Sequence, residues 1–238
     1  MRTRNYFLGI FLLSGLLWAA CGSETTSAEA EEEPSPTEVA FVSLFNGENM
    51  EGWRNYNADT ISPNWQAEEG AMTLVAGGGG DIVTEKKYEN FELTMEWKIS
   101  ENGNSGIFFR VIESDSLGAA YFSGPEMQVL DNAGHPDAKI DKHRAGDNYD
   151  LHSCETETVH PAGEWNTVRL IVNEGNVQHW LNGTKVVEYT IGSEEWEALY
   201  QASKFSDWPE YARNAKGHIA LQDHGDQVWF RNIMIKEL

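Results

Sequence analysis

The stretch "GPEMQVLDNAGHPDA", Gly124 to Ala138, decides the reading of the fold. Met127 and Val129 alternate with Glu126 and Gln128, a period of two in which successive side chains leave the backbone on opposite sides. The pattern predicts a half-buried β-strand, with Met127 and Val129 in a core and Glu126 and Gln128 on the outer side. The strand then runs into Asp131, Asn132 and His135. Its outer side is either solvated sheet surface or the floor of a binding cleft.

Similar runs recur on both sides of this one. "WQAEEGAMTLVAG" reads as strand, turn at Glu69-Gly70, strand, and "FELTMEWKIS" alternates Phe91, Leu93, Met95, Trp97 and Ile99 against Glu92, Thr94, Glu96 and Lys98. "WNTVRLIVNEGNVQHWLNGTKVVEYT" holds three strands, the last two joined by Asn182-Gly183, a strong hairpin signal. "NSGIFFRVI", "GHIALQDHG" and "VWFRNIMIKEL" add further strands. Only residues 193–203 read as helix, with Ser193 as its cap and Trp196, Leu199 and Tyr200 on one side. Many short strands with turn residues between them predict an all-β antiparallel sandwich or jelly roll with one short helix.

Three strands carry large hydrogen-bonding groups on the side away from their apolar residues. Glu126 and Gln128 share one face; Phe108 and Arg110 stand opposite Ile107, Phe109 and Val111; His218, Gln222 and His224 stand opposite Ile219 and Leu221. An ordinary solvated face reads like Glu92, Thr94, Glu96 and Lys98 instead. Amides, a guanidinium, imidazoles and rings suit a concave sugar site, where hydroxyls are hydrogen-bonded and rings stack. Of the tryptophans, Trp97, Trp165 and Trp229 are expected in the core, and Trp180 fits either side.

The N-terminus has its own chemistry. Arg2 and Arg4 precede a short apolar run, Tyr6 to Trp18, and Ala19-Ala20 lead to Cys21, as in a bacterial lipoprotein signal with Cys21 as the lipidated residue. Residues 1–20 are read as signal peptide, 21–39 as a flexible acidic tether rich in Ser, Thr, Glu and Pro, and 40–238 as a single β-sandwich domain. The location expected is the bacterial cell envelope, as an outer-membrane lipoprotein held by its lipid alone. Loss of the signal removes two Arg and no acid, so the charge moves from −21 to −23. So acidic a chain is a poor partner for nucleic acid. Cys154 is left as a lone thiol, read as a small buried apolar group. His135, Asp137, His143 and His152 match no compact ligand spacing; no cofactor is predicted, with a divalent metal kept as a possibility.

Taken together, "LFNGENMEGW" (44–53), "NSGIFFR" (104–110), "GPEMQVLDN" (124–132), "HPDA" (135–138), "YDL" (149–151), "GEWNTVRL" (163–170), "HWLNG" (179–183), "SKF" (203–205) and "GHIALQDHGDQVWFRNI" (217–233) resemble the bacterial 3-keto-disaccharide hydrolase domain family. The resemblance implies a concanavalin A-like, laminin-G-like jelly roll with a carbohydrate-facing concave sheet. It also implies cleavage of glycosides whose sugar is oxidised to a ketone at C3.

Such a ketone acidifies the C2 proton, and the glycosidic oxygen at C1 lies β to it. A base that removes the proton lets the enolate expel the aglycone, and water added to the enone completes a hydrolysis. On this reading Glu126 or His224 transfers the proton and Arg110 faces the enolate. Gln128, Asp131, Asn132, His135, Tyr149 and Gln222 position hydroxyls or order the rim, with Lys204 as a further candidate. Gln128 stands where an ordinary two-carboxylate glucanase would place a second acid, which disfavours that mechanism. The competing class is a non-catalytic, surface-tethered carbohydrate-binding module.

Overall fold

The computed structural model describes residues 39–238. The expected signal peptide, Cys21 and all but the last residue of the expected tether lie outside these residues. Thirteen strands form two antiparallel sheets. The larger runs β11 (Thr184–Thr190), β10 (Asn176–Leu181), β9 (Asn166–Asn173), β6 (Phe91–Ile99), β13 (Val228–Glu237), β4 (Ala71–Leu74) and β3 (Trp65–Glu68), with β1 (Val42–Ser43) pairing β13. The smaller runs β2 (Trp53–Asn55), β5 (Ile82–Thr84), β12 (His218–Leu221), β7 (Asn104–Val111) and β8 (Glu126–Leu130). The architecture is the two-sheet antiparallel β-sandwich expected, with one short α-helix.

One continuous core fills the space between the sheets. It takes Phe91, Leu93, Met95, Trp97 and Ile99 from β6 and Met127 and Val129 from β8, as the alternation requires. The hairpins turn at Glu69-Gly70, Glu174-Gly175 and Asn182-Gly183, all with positive φ. The helix α1 (Glu194–Ala202) begins where Ser193 accepts a hydrogen bond from the Trp196 amide, and buries Trp196 and Tyr200.

Two expectations fail, for different reasons. Trp165 and Trp229 are not core residues. Val228 and Phe230 take the inward side of β13, so Trp229 faces out, with the Lys98 ammonium 4.3 Å from its ring centroid. The Arg231 guanidinium lies 3.9 Å from the Trp165 ring. Trp180 is also outside, beside Arg169. In β7 the alternation slips. Val111 stands opposite His218 and Phe108 opposite Ala220, so Phe109 and Arg110 together face Ile219. This is a β-bulge, and Arg110 takes φ +57° there.

Candidate active site

The outer face of the smaller sheet is not solvated. Glu126 is 7 % exposed and Gln128 1 %, so the alternating strand is buried on both sides. What covers it is a wall of aromatic side chains. Tyr121, in a single 3-10 turn (Ala120–Phe122), lies 5.5 Å from Trp208 between ring centroids, and Phe205 stacks on Tyr211 at 4.0 Å. The two parts of the wall are tied by the Ala212 amide, which donates to the Ser123 carbonyl at 2.8 Å.

Between floor and wall lies a cavity of about 190 Å³. Glu126, Gln128, Tyr149, Lys204, Gln222 and His224 all line it, so six of the ten site residues expected from sequence are brought together. His135 stands at its edge, its ring 6.3 Å from that of His224, while its Nδ1 accepts from the Asp137 amide. The Lys204 ammonium sits 4.4 Å from the Tyr149 ring centroid, and Tyr149 is backed by His143 at 4.2 Å.

Three expected residues are elsewhere. The bulge carries Arg110 off the Phe108 face, so it does not line the cavity. It is 6 % exposed, burial lowers its pKa, and it forms no ion pair among the described residues. Asp131 accepts from the amides of Asn102 and Ala133 and fixes the loop after β8. Asn132 turns away and accepts from the Ala145 amide. His218, on the expected face but one bulge further along, donates from Nδ1 to the Thr84 carbonyl at 2.6 Å and faces Glu113 at 3.3 Å.

Glu126 has an unusual environment. Its carboxyl occupies the space that a side chain on β7 would fill: a Cβ built on Gly106 would meet Glu126 Oε1 at 2.2 Å. It has no hydrogen-bond partner among the described residues. Burial, then the negative charge of Asp81, push its pKa up to about 8, against the opposing pull of Lys204. Unpaired acceptors surround it. Asn104 Oδ1 and Gln222 Oε1 are buried in the lining without partners, and the Val129 amide already donates to Gln128 Oε1. Buried acceptors without donors are costly in a folded chain, so this floor has acceptors to offer to water or to a ligand's hydroxyls.

The metal candidates do not converge. His143 Nε2 lies 3.1 Å from Asp150, His152 pairs with Asn148, and among the described residues no three His, Cys, Asp or Glu side chains cluster as a ligand set. The Cys154 thiol is pushed well up by burial and is no nucleophile.

The family model for the 3-keto-alpha-glucoside-1,2-lyase-like domain matches residues 40–236. The chain belongs to this family. A protein of Bacteroides thetaiotaomicron named 3-keto-disaccharide hydrolase is 36 % identical in an alignment that covers the whole of both chains. A crystal structure from Parabacteroides distasonis, named as a candidate glycosyl hydrolase, has a TM-score of 0.79 at 36 % identity and covers 83 % of this chain and 94 % of its own. A second from the same organism, named likewise, has a TM-score of 0.64 at 27 % identity, with 84 % and 100 % covered. At the level of class, the expectation of a glycoside hydrolase rather than a binding module is met.

Against this family background, sequence reasoning missed Asn104, Asp81 and most of the aromatic wall. Phe205, Trp208 and Tyr211 recur every third residue, Phe205 in a 3-10 turn (Lys204–Asp207) and the other two just after it, in a segment where only "SKF" was singled out. Asn104 stood in a quoted motif and alternates with Ile107 and Phe109 on the Phe108 side.

Proposed function

We propose that this enzyme cleaves the glycosidic bond of a sugar oxidised to a ketone at C3, with Glu126 as the base that removes the C2 proton. The observation that carries the reading is the Glu126 carboxyl: buried, unpartnered, and raised to about 8 on the floor of a cavity walled by rings. A carboxylate in that setting is a stronger base than one in water.

The step balances as follows. Glu126 takes the C2 proton, and the C–H electron pair moves to the ketone as an enolate. Lys204 lies in the lining with its charge acting on Glu126, and serves as the cation for the enolate oxygen in place of the displaced Arg110. The enolate re-forms the ketone as the C1–O bond breaks, and His224, on the same wall, gives its proton to the departing oxygen. Water then adds to C1 of the enone and C2 regains a proton, for a net hydrolysis. Asn104, Gln128 and Gln222 hold the ring by its hydroxyls.

The test is to incubate the mature protein with 3-keto-trehalose and follow 3-keto-glucose. Release by the wild type that falls on the order of 10³-fold in Glu126→Gln, with binding of substrate retained by calorimetry, is expected. Unchanged release in that variant would sink the assignment. The signal and Cys21 support a lipid-anchored place at the cell envelope, where Cys21→Ser should release the protein from membranes.

A further inference from the structure

Behind the aromatic ridge lies a second hollow, of about 320 Å³, that opens beside the first. The two share three residues: Tyr121, Gln222 and His224. Glu126 and Lys204 belong to the inner hollow alone, whereas Asp81, Gly118 and Ala119 belong to the outer alone. The group assigned to protonate the departing oxygen therefore stands on the divide, between the chamber that holds the base and one that does not.

The outer hollow is built with some care. The Asp81 carboxylate accepts from the amides of Asp223, at 3.1 Å, and of Ala120. These bonds bind the loop bearing His224 to the turn bearing Tyr121, so both banks are fixed by one buried acid. The Tyr121 ring, 38 % exposed, is propped against Phe122 at 4.6 Å and Trp208 at 5.5 Å. It presents a ring between the hollows rather than folding into either. The titratable side chains bordering the outer hollow, apart from His224, are acids and Tyr.

We propose that the outer hollow is the leaving-group subsite, and that it takes a neutral, hydroxyl-rich aglycone, a second sugar ring, while the oxidised ring occupies the inner hollow. This deepens the reading given above and rests on it. The inner cavity has room for one hexose ring, so a disaccharide must send its other ring over the Tyr121 ridge. The glycosidic oxygen then falls beside His224. Acids at Asp81 and Asp223 accept hydroxyl protons and repel a phosphorylated or carboxylated aglycone.

Ala119 has an extended backbone, φ −159° and ψ 161°, that any residue adopts, and it borders the outer hollow alone. Ala119→Trp should plug it. The full mature protein is assayed with 3-keto-trehalose and with methyl 3-keto-α-glucoside, whose aglycone is a single carbon. The variant is expected to lose at least 10-fold more kcat/KM on the disaccharide than on the methyl glycoside, and free glucose should inhibit methyl-glycoside cleavage by the wild type but not by the variant. Equal losses on both substrates would overturn the subsite. Gly118→Leu repeats the plug from a neighbouring position, where an added Cβ meets nothing closer than Phe122 at 4.0 Å, should Ala119→Trp fold poorly. If the wild type cleaves neither substrate, the reaction is wrong, and the subsite is judged by calorimetry with unoxidised trehalose: affinity weakened 10-fold in the plugged variant supports it, and unchanged affinity defeats it.

Discussion

The outer faces of the two sheets begin from the same sequence pattern and end in opposite states. On β6 of the larger sheet, Glu92 and Glu96 are half-buried and paired. Burial works against the Glu92 carboxylate, but Arg169 and Lys236 hold its pKa below the ordinary range, and Arg231 meets Glu96 at 2.6 Å. On β8 of the smaller sheet, Glu126 has no cation in contact and is driven the other way. Alternation decides which side a carboxylate is on. What covers that side decides whether it is a surface ornament or a base. The larger sheet meets water and matches its acids with basic side chains; the smaller is roofed by Tyr121, Phe205, Trp208 and Tyr211, and leaves its acid alone.

The strongest way to break this comparison is to make the same change on each face. Glu126→Gln should abolish turnover as described, whereas Glu92→Gln should leave kcat/KM within about 2-fold and cost at most ~1 kcal/mol in denaturant unfolding. A comparable loss from both would show that Glu126 matters only to the fold. Acidity sharpens the contrast next. As the free-enzyme base, Glu126 should make kcat/KM rise about tenfold per pH unit up to about 8. The same group should set a slope in stability. Its folded pKa lies above its unfolded value of 4.5, so its contribution is fully present below about 4.5, and is lost as pH rises through about 8. Glu126→Gln should therefore unfold like the wild type at pH 4 and be more stable at pH 9, by on the order of a few kcal/mol. A variant less stable at pH 9 would show that the carboxylate is satisfied in a way the cleft does not reveal.

Smaller effects test the roof. Trp208→Ala should raise KM roughly 10-fold through lost ring contact, while Trp165→Ala on the other sheet should leave KM alone and remove about 0.5–1 kcal/mol of cation–π stabilisation. Equal KM values for the two variants would mean that the roof does not touch substrate. Smallest of all is the effect expected of EDTA, which should leave turnover unchanged because each proton and each charge in the assigned steps has a side chain to hold it. Activity lost to EDTA and restored by a divalent ion would replace Lys204 with that ion.

The sandwich was legible because its cues are local. The alternation in "FELTMEWKIS", the Asn182-Gly183 turn and the Ser193 cap each act within a few residues, and each stands where the pattern put it. The floor of the site was legible for the same reason, since Glu126 and Gln128 needed only the parity of one strand. Arg110 was lost because a bulge is a relation between two strands: nothing within "SGIFFRV" says that Ile219 will face two residues at once. Trp229 shows the converse, for the parity of Val228 and Phe230 already placed it outward and its bulk misled. The desolvation of Glu126 was not legible at all. It depends on Phe205, Trp208 and Tyr211, some eighty residues away in the chain, closing over a strand they do not follow.

The bare position at Gly106 has a consequence for how such proteins diverge. The Glu126 carboxyl lies where a side chain on β7 would stand, so a single methyl there, 2.2 Å from Oε1, must displace the carboxyl. Position 106 is thus a one-residue fork in descent. On the mechanism proposed above, a lineage that keeps glycine keeps the assigned base in its place, and one that accepts alanine moves it. Assaying relatives with glycine and with alanine at that position side by side would show how much the placing of that carboxyl matters.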